Sequence, residues 1–330
     1  MRPLLFLTLV ATSLLLPRLA AAQNFALPID CAVGSVCIVQ NYADWSAEHG
    51  AATDPMCGAL TYPGHDGLDF RAPAMRARAG VAVLAPAAGV VLRIRDGEAD
   101  GAFLRGGETA IGGRDCGNGV VIDHGNGWES QLCHFRMGSV RVSAGARVTA
   151  GQAVGLVGLS GHTQFPHAHL TLRHNGQTVD PITGGAIGAG ACGANAVRPG
   201  PQWSPAARTA LAYHGTQWFE AGFTGSAPPQ GVSAEEWPAN ASRQSAALVF
   251  WGLATGPRNG DVLRVRLYGP DGSVIAESTR TQPRDQAQAW AFAGKRTPAG
   301  GWPAGAYRGE AELSRGGHVM QTRTETLRLR

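Results

Sequence analysis

Apolar positions along this chain fall into short runs broken by glycine and proline, not into long helical stripes. Residues 81–97, VAVLAPAAGVVLRIRDG, give two β-rich runs hinged at Pro86 and Gly89. Residues 118–135, NGVVIDHGNGWESQLCHF, read as a hairpin with Gly125-Asn126-Gly127 at its turn. Residues 139–161 add shorter strands with glycine turns. No stretch between about residues 57 and 185 carries a convincing helical period. The pattern predicts a compact antiparallel β structure.

A second β pattern begins near residue 217. Leu263, Val265 and Leu267 alternate with Arg264, Arg266 and Tyr268 ahead of a Gly-Pro-Asp-Gly turn. The last 25 residues read as another hairpin. Several short strands over about 110 residues predict an immunoglobulin-like β-sandwich. Between the two patterns, residues 184–193 form a glycine-rich loop and residues 203–214 a short helix or linker. The expected division is a signal peptide (1–22), a cysteine-containing N-terminal segment (23–56), a first β domain (57–195), a linker (196–216) and a sandwich (217–330). The fold class is all-β throughout. A chain ending near residue 200 is expected to keep zinc and cleave small soluble peptides, but to work less well on intact wall.

Two features set the compartment. Arg2, the apolar run LLFLTLVATSLLL and Ala20-Ala21-Ala22 have the order of a secretory signal cleaved before Gln23. No later segment is apolar and long enough to span a bilayer, so no stable membrane insertion is expected after cleavage. Six cysteines, an even number, suit disulfides in an exported protein, periplasmic or secreted. Cys31 and Cys37 would close a small loop, and Cys116 and Cys133 flank the predicted hairpin. Cys57 and Cys192 would then remain, although six cysteines allow 15 connectivities. The net charge is +4, with Arg2 and Arg18 inside the signal. That bias is too small to argue for nucleic acid.

The candidate chemistry lies in the first β domain. GHDGLDF offers His65 and Asp69 as H-x-x-x-D, and FPHAHL offers His167 and His169 as H-x-H. Four extended residues span about 13 Å, so the chain from His65 to Asp69 must curve before both can reach one ion, and Gly67 is placed to allow it. On a strand, His167 and His169 share a face roughly 6.6 Å apart. Both can touch a metal, or one can bind it while the other reaches a substrate; spacing alone does not choose. His134 ends the predicted hairpin. Imidazoles with one carboxylate make the ligand set of a catalytic zinc site. Asp66, Asp180, His124, His162 and His174 read as turn or surface residues.

GHDGLDF, QLCHF and FPHAHL, in that order, together with the glycine-rich runs between them, resemble the lysostaphin/LytM-type zinc metallopeptidases. The resemblance covers about residues 57–183. It implies one zinc per chain held by His65, Asp69 and His169, with His134 and His167 as a non-ligating catalytic pair. It also implies a compact antiparallel β fold, the duplicated hybrid motif, and a peptidoglycan stem or cross-link peptide as substrate. The expected function is an exported zinc metalloendopeptidase of the bacterial cell wall. The alternative is a non-catalytic wall-binding or hydrolase-activating protein on the same fold, although such proteins typically lose ligands and this chain keeps them. A biotinyl- or lipoyl-carrier reading of AGQAVGLVG fails, because the only lysine, Lys295, lies in the other domain. Oligomeric state is not legible.

Overall fold

A computed structural model describes residues 23–48, 50–188, 191–226 and 241–330. The expected signal, 1–22, lies outside the described residues. In chain order the first half contains β1 (Ile38–Asn41), β2 (Leu68–Arg71), α1 (Ala74–Ala79), β3 (Ala82–Leu84), β4 (Gly89–Arg95), α2 (Ala102–Ile111), β5 (Asn118–Gly125), β6 (Trp128–Phe135), β7 (Arg147–Val148), β8 (Ala153–Leu156), β9 (His167–His174) and β10 (Gln177–Val179). The main sheet runs β1-β2-β9-β6-β5-β4-β7, with β10 also on β9, and every pairing is antiparallel. β3 and β8 form a small second sheet. On β9, Ala168, Leu170 and Leu172 enter the core while His167 and His169 stand on the opposite face, as a period of two requires.

The β5–β6 turn is built by Asn126 (φ 51°) and Gly127 (φ 77°), both left-handed, which matches the twist of a two-residue hairpin. Helix α2 was not legible as a period. Only Ile111 of it is buried, and Gly107 breaks its backbone with φ 59°, so no continuous helical face enters the core.

The N-terminal segment is not peripheral. Phe25 is fully buried against Trp128 and Trp203, and β1 adds an edge strand to β2. After β10, α3 (Pro205–Ala210) follows Ser204, whose hydroxyl caps it. Trp203, Ala207 and Leu211 pack into this same first core. A chain ending near residue 200 would therefore lack Trp203 and Leu211 of this core. Disulfides join Cys31–Cys37, Cys57–Cys192 and Cys116–Cys133, which uses all six cysteines.

The second half contains β11 (Gln217–Thr224), β12 (Ala247–Thr255), β13 (Val262–Tyr268), β14 (Val274–Thr281), β15 (Gln288–Arg296), β16 (Gly305–Arg315) and β17 (His318–Leu329). Sheets β11-β12-β15 and β14-β13-β16-β17 pack face to face through Leu248, Phe250, Leu263, Val265, Leu267 and Leu313, giving a sandwich. Strand β12 is buried on both faces. Leu248 and Phe250 fill the sandwich, while Trp251 and Leu253 turn toward the first half and meet Phe219 and Ile38 of β1. Among the described residues no helix is long and apolar enough to cross a membrane.

Candidate metal centre

β2 and β9 are neighbours, with Asp69 directly opposite His169 in the ladder, and Cys133 of β6 opposite His169 on its other side. That pairing brings motifs a hundred residues apart to one spot. His65 precedes β2 in a bend whose left-handed residue is Gly64 (φ 76°). Gly67 does not have a positive φ, so its role differs from the one spacing suggested. A Cβ there would lie 2.7 Å from His169 Cε1 and 2.3 Å from the Leu170 carbonyl oxygen. Glycine is needed for clearance, so that β9 and the His169 ring can approach. His134, the last residue but one of β6, has φ 64°, a left-handed conformation rare outside glycine, which turns its ring toward the site.

Asp69 Oδ1 lies 3.1 Å from His65 Nε2, 2.8 Å from His169 Nδ1 and 3.2 Å from His167 Nε2. His65 Nε2 and His169 Nδ1 are 3.1 Å apart. The His134 and His167 rings are 4.6 Å apart, and His134 is 6.0 Å from His169. These five side chains belong to residues only 1–7% exposed.

Each imidazole uses its other nitrogen on a fixed acceptor. His65 Nδ1 donates to the Tyr42 carbonyl oxygen at 2.6 Å, and His134 Nδ1 to that of Ser160 at 2.8 Å. His167 Nδ1 donates to the Phe165 carbonyl oxygen at 2.9 Å. His169 Nε2 lies 3.1 Å from Asp66 Oδ1 and 2.9 Å from Thr171 Oγ1. Asp69 Oδ2 accepts from Asn41 Nδ2 at 2.8 Å. A carbonyl oxygen can only accept, so the bonded nitrogens carry the protons and lone pairs face inward. Buried acceptors that converge in this way repel one another unless a cation lies between them. His167 Nε2 is buried, and its polar neighbour Asp69 Oδ1, at 3.2 Å, is not aligned to hydrogen-bond it.

The titration behaviour has the same sense. Burial alone would raise Asp69, but the surrounding imidazoles, His65 and His167 foremost, hold it well below the usual carboxylate range. Burial would lower His169, yet its bonds to Asp66 and Asp69 push it up to about 9. Burial, with His167 and His169 beside it, keeps His134 well below the usual imidazole range. The site favours positive charge at its centre and neutral imidazole at its flank.

Two groups of three can hold a metal here: His65, Asp69 and His169, or His134, His167 and His169. The first fits zinc on the chemistry of its donors. It offers two imidazole nitrogens and one carboxylate oxygen 2.8–3.1 Å apart, near the spacing of about 3.3 Å that tetrahedral zinc asks of its ligands, and each ligand's other atom is tied down. A third group, Glu108, Asp115 and His162, is exposed.

Residues 63–181 match Peptidase family M23. The segment that holds the candidate site is thus similar to the M23 peptidases. The chain is 33% identical over 119 residues to the DD-carboxypeptidase/endopeptidase Mpg of Neisseria meningitidis serogroup B, covering 36% of this chain and 22% of that protein. It is 36% identical over 66 residues to the peptidoglycan DD-endopeptidase ShyA of Vibrio cholerae, covering 20% of this chain and 15% of that one. The chain thus spans between about a seventh and about a fifth of the length of these curated relatives. A mutant catalytic domain of the prophage-encoded M23 protein EnpA from Enterococcus faecalis is 25% identical, covering 49% of this chain and 95% of that domain with a TM-score of 0.31.

All five residues singled out in the sequence lie within the matched segment, residues 63–181, and meet at one spot. Sequence reasoning missed the groups behind them: Asn41, Tyr42, Asp66, Ser160 and Thr171. Asp66 reads as a turn residue but bonds His169 and Thr171. Its place beside the H-x-x-x-D motif, and Thr171 two residues beyond H-x-H, were the available signals. Asp180, unlike the half-exposed Asp66, is not at the surface. It is 1% exposed and accepts from Trp45 Nε1 and the Ile182 amide, away from the centre.

Proposed function

We propose that this chain is an exported zinc metalloendopeptidase that hydrolyses peptide bonds in peptidoglycan stems or cross-links. The observation that carries this reading is the inward convergence of His65 Nε2, Asp69 Oδ1 and His169 Nδ1, each opposite a fixed hydrogen bond. His65, Asp69 and His169 would hold one zinc ion. The bound ion supplies Lewis acidity toward water and toward a carbonyl oxygen.

His134 and His167 do the proton work. Both are fixed by Nδ1–H bonds to carbonyl oxygens, which leaves Nε2 of each as the basic atom facing the centre. One takes a proton from the attacking water. The other, once protonated, stabilises the developing oxyanion or returns a proton to the leaving amine. No glutamate base is needed. Burial keeps bulk water from competing for these nitrogens.

Peptide cross-links as the substrate, and export, are supported by the M23 match, the signal-like N-terminus and the three disulfides. The boundaries proposed for the domains, and the immunoglobulin-like type of the sandwich, belong to the same reading. Digestion of purified peptidoglycan by the zinc-loaded chain tests it. Mass spectrometry should find muropeptides cut at a peptide bond, with product lost on chelation. Binding to the polymer without any new amine would support a non-catalytic wall-binding protein instead.

A further inference from the structure

We propose that the β-sandwich is a working part of the peptidase site and acts on it through Arg71, a positioning residue for His167. The inference rests on the peptidase reading above. Arg71 lies on β2 two residues after Asp69, directly opposite His167 in the β2–β9 ladder, and is 1% exposed. A guanidinium so deeply buried needs its donors satisfied and its charge compensated. The partners come from both halves of the molecule. Arg71 Nη1 donates to Gln40 Oε1 of β1 at 3.1 Å and to Gln288 Oε1 of β15 at 2.9 Å. Gln40 also donates to the Ala287 carbonyl oxygen at 3.2 Å, which ties the same corner to the sandwich.

The faces of the guanidinium are used as well. Its central carbon lies 4.2 Å from the centroid of the Phe165 ring and 5.4 Å from that of Phe219 on β11. Phe165 is the link to the chemistry. Its carbonyl oxygen accepts the Nδ1–H of His167, and its ring is 4.9 Å from the His167 ring. The path therefore runs from Gln288 and Phe219, through Arg71, to Phe165 and the tautomer of His167. A tether made only to raise local substrate concentration would need no such contact with the site. Here the contact is broad: Ile38, Phe219, Trp251 and Leu253 form one buried cluster across the junction, and Glu220 accepts from the Ala74 amide just after β2.

The test uses the full chain with Gln288→Ala, Gln288→Glu and Phe219→Leu, on the sandwich side where the peptidase core is untouched. Three quantities are read: zinc content, kcat and KM on a small soluble cross-link peptide, and the long-range 1H–15N signals of the His167 ring. We expect Gln288→Ala and Phe219→Leu to keep about one zinc per chain and a KM close to wild type. Their kcat should fall roughly tenfold to a hundredfold, as small misplacements of a catalytic group do. Wild-type His167 should show a single Nδ1–H tautomer, which these variants mix or shift. Gln288→Glu keeps an acceptor for Arg71 and should restore kcat and the signal. Folded variants with wild-type kcat on the small peptide and an unchanged His167 spectrum would overturn the inference. A wild-type chain that cleaves nothing would instead remove the peptidase reading, while the His167 spectrum still reports whether the coupling exists.

Discussion

At the scale of the residue, the centre is defined as much by what stands behind the ligands as by the ligands. His134→Ala and His167→Ala should retain zinc, because neither removes a member of the proposed ligand set, yet lose hydrolysis by about 10²–10⁴-fold. A variant that stays near wild-type rate would show that its imidazole moves no proton. Gly67→Ala should act differently. The new Cβ meets the His169 ring and the Leu170 carbonyl oxygen, so overpacking of about 1–3 kcal/mol should appear as weakened zinc binding in a competitive chelator titration. Unchanged affinity would mean that β9 shifts freely there. Asp180 supplies a pH signature away from the metal. Burial raises its pKa to about 6 from 3.8, against the bonds it accepts from Ile182 and Trp45. The folded state then binds the proton more tightly than the unfolded state. This contribution to stability should fall as pH rises from about 4 to about 6, by at most about 3 kcal/mol. Denaturant midpoints across that window should show the slope in wild type and lose it in Asp180→Asn; equal slopes would contradict the assignment.

At the scale of the element, the hairpins were legible because their chemistry is local. Asn126-Gly127 forces two left-handed residues, and the alternation of β9 places His167 and His169 on one face. Gly127→Ala should lower stability by about 1–3 kcal/mol, since a Cβ there would fall 2.0 Å from Asn175 Oδ1 and φ is 77°. A thermal melt within a degree of wild type would count against this. What escaped the sequence is non-local. Helix α2 is largely exposed and broken at Gly107, so it offers no uninterrupted period to read. Strand β1 lies in an irregular, cysteine-flanked segment. Its place became visible only once Asn41 stood opposite Asp69. Strand β12 is apolar on both faces because one face fills the sandwich and the other meets the first half, and such a run cannot be told from a core helix by pattern. The ligand motifs could be read, but Asp66 and Thr171 matter only through the register of β2 against β9.

At the scale of the whole molecule, two devices hold a glycine-rich fold together. One is the disulfide set. Cys57–Cys192 spans 135 residues of sequence, and chain-entropy arguments give such a loop about 2–5 kcal/mol. The Cys57→Ala/Cys192→Ala pair should unfold at correspondingly lower denaturant under oxidising conditions; an unshifted midpoint would rule the staple out. The other is the return of the chain after β10, where Trp203 and Leu211 re-enter the first core. A chain ending near residue 200 should lose stability even before any effect on peptidoglycan is considered. The metal centre is what every other part of the molecule serves. The zinc content of the purified chain, measured beside that of His169→Ala, tests it most directly. About one zinc per wild-type chain is expected, with most of it lost in the variant. Full zinc in His169→Ala would contradict the proposed ligand set.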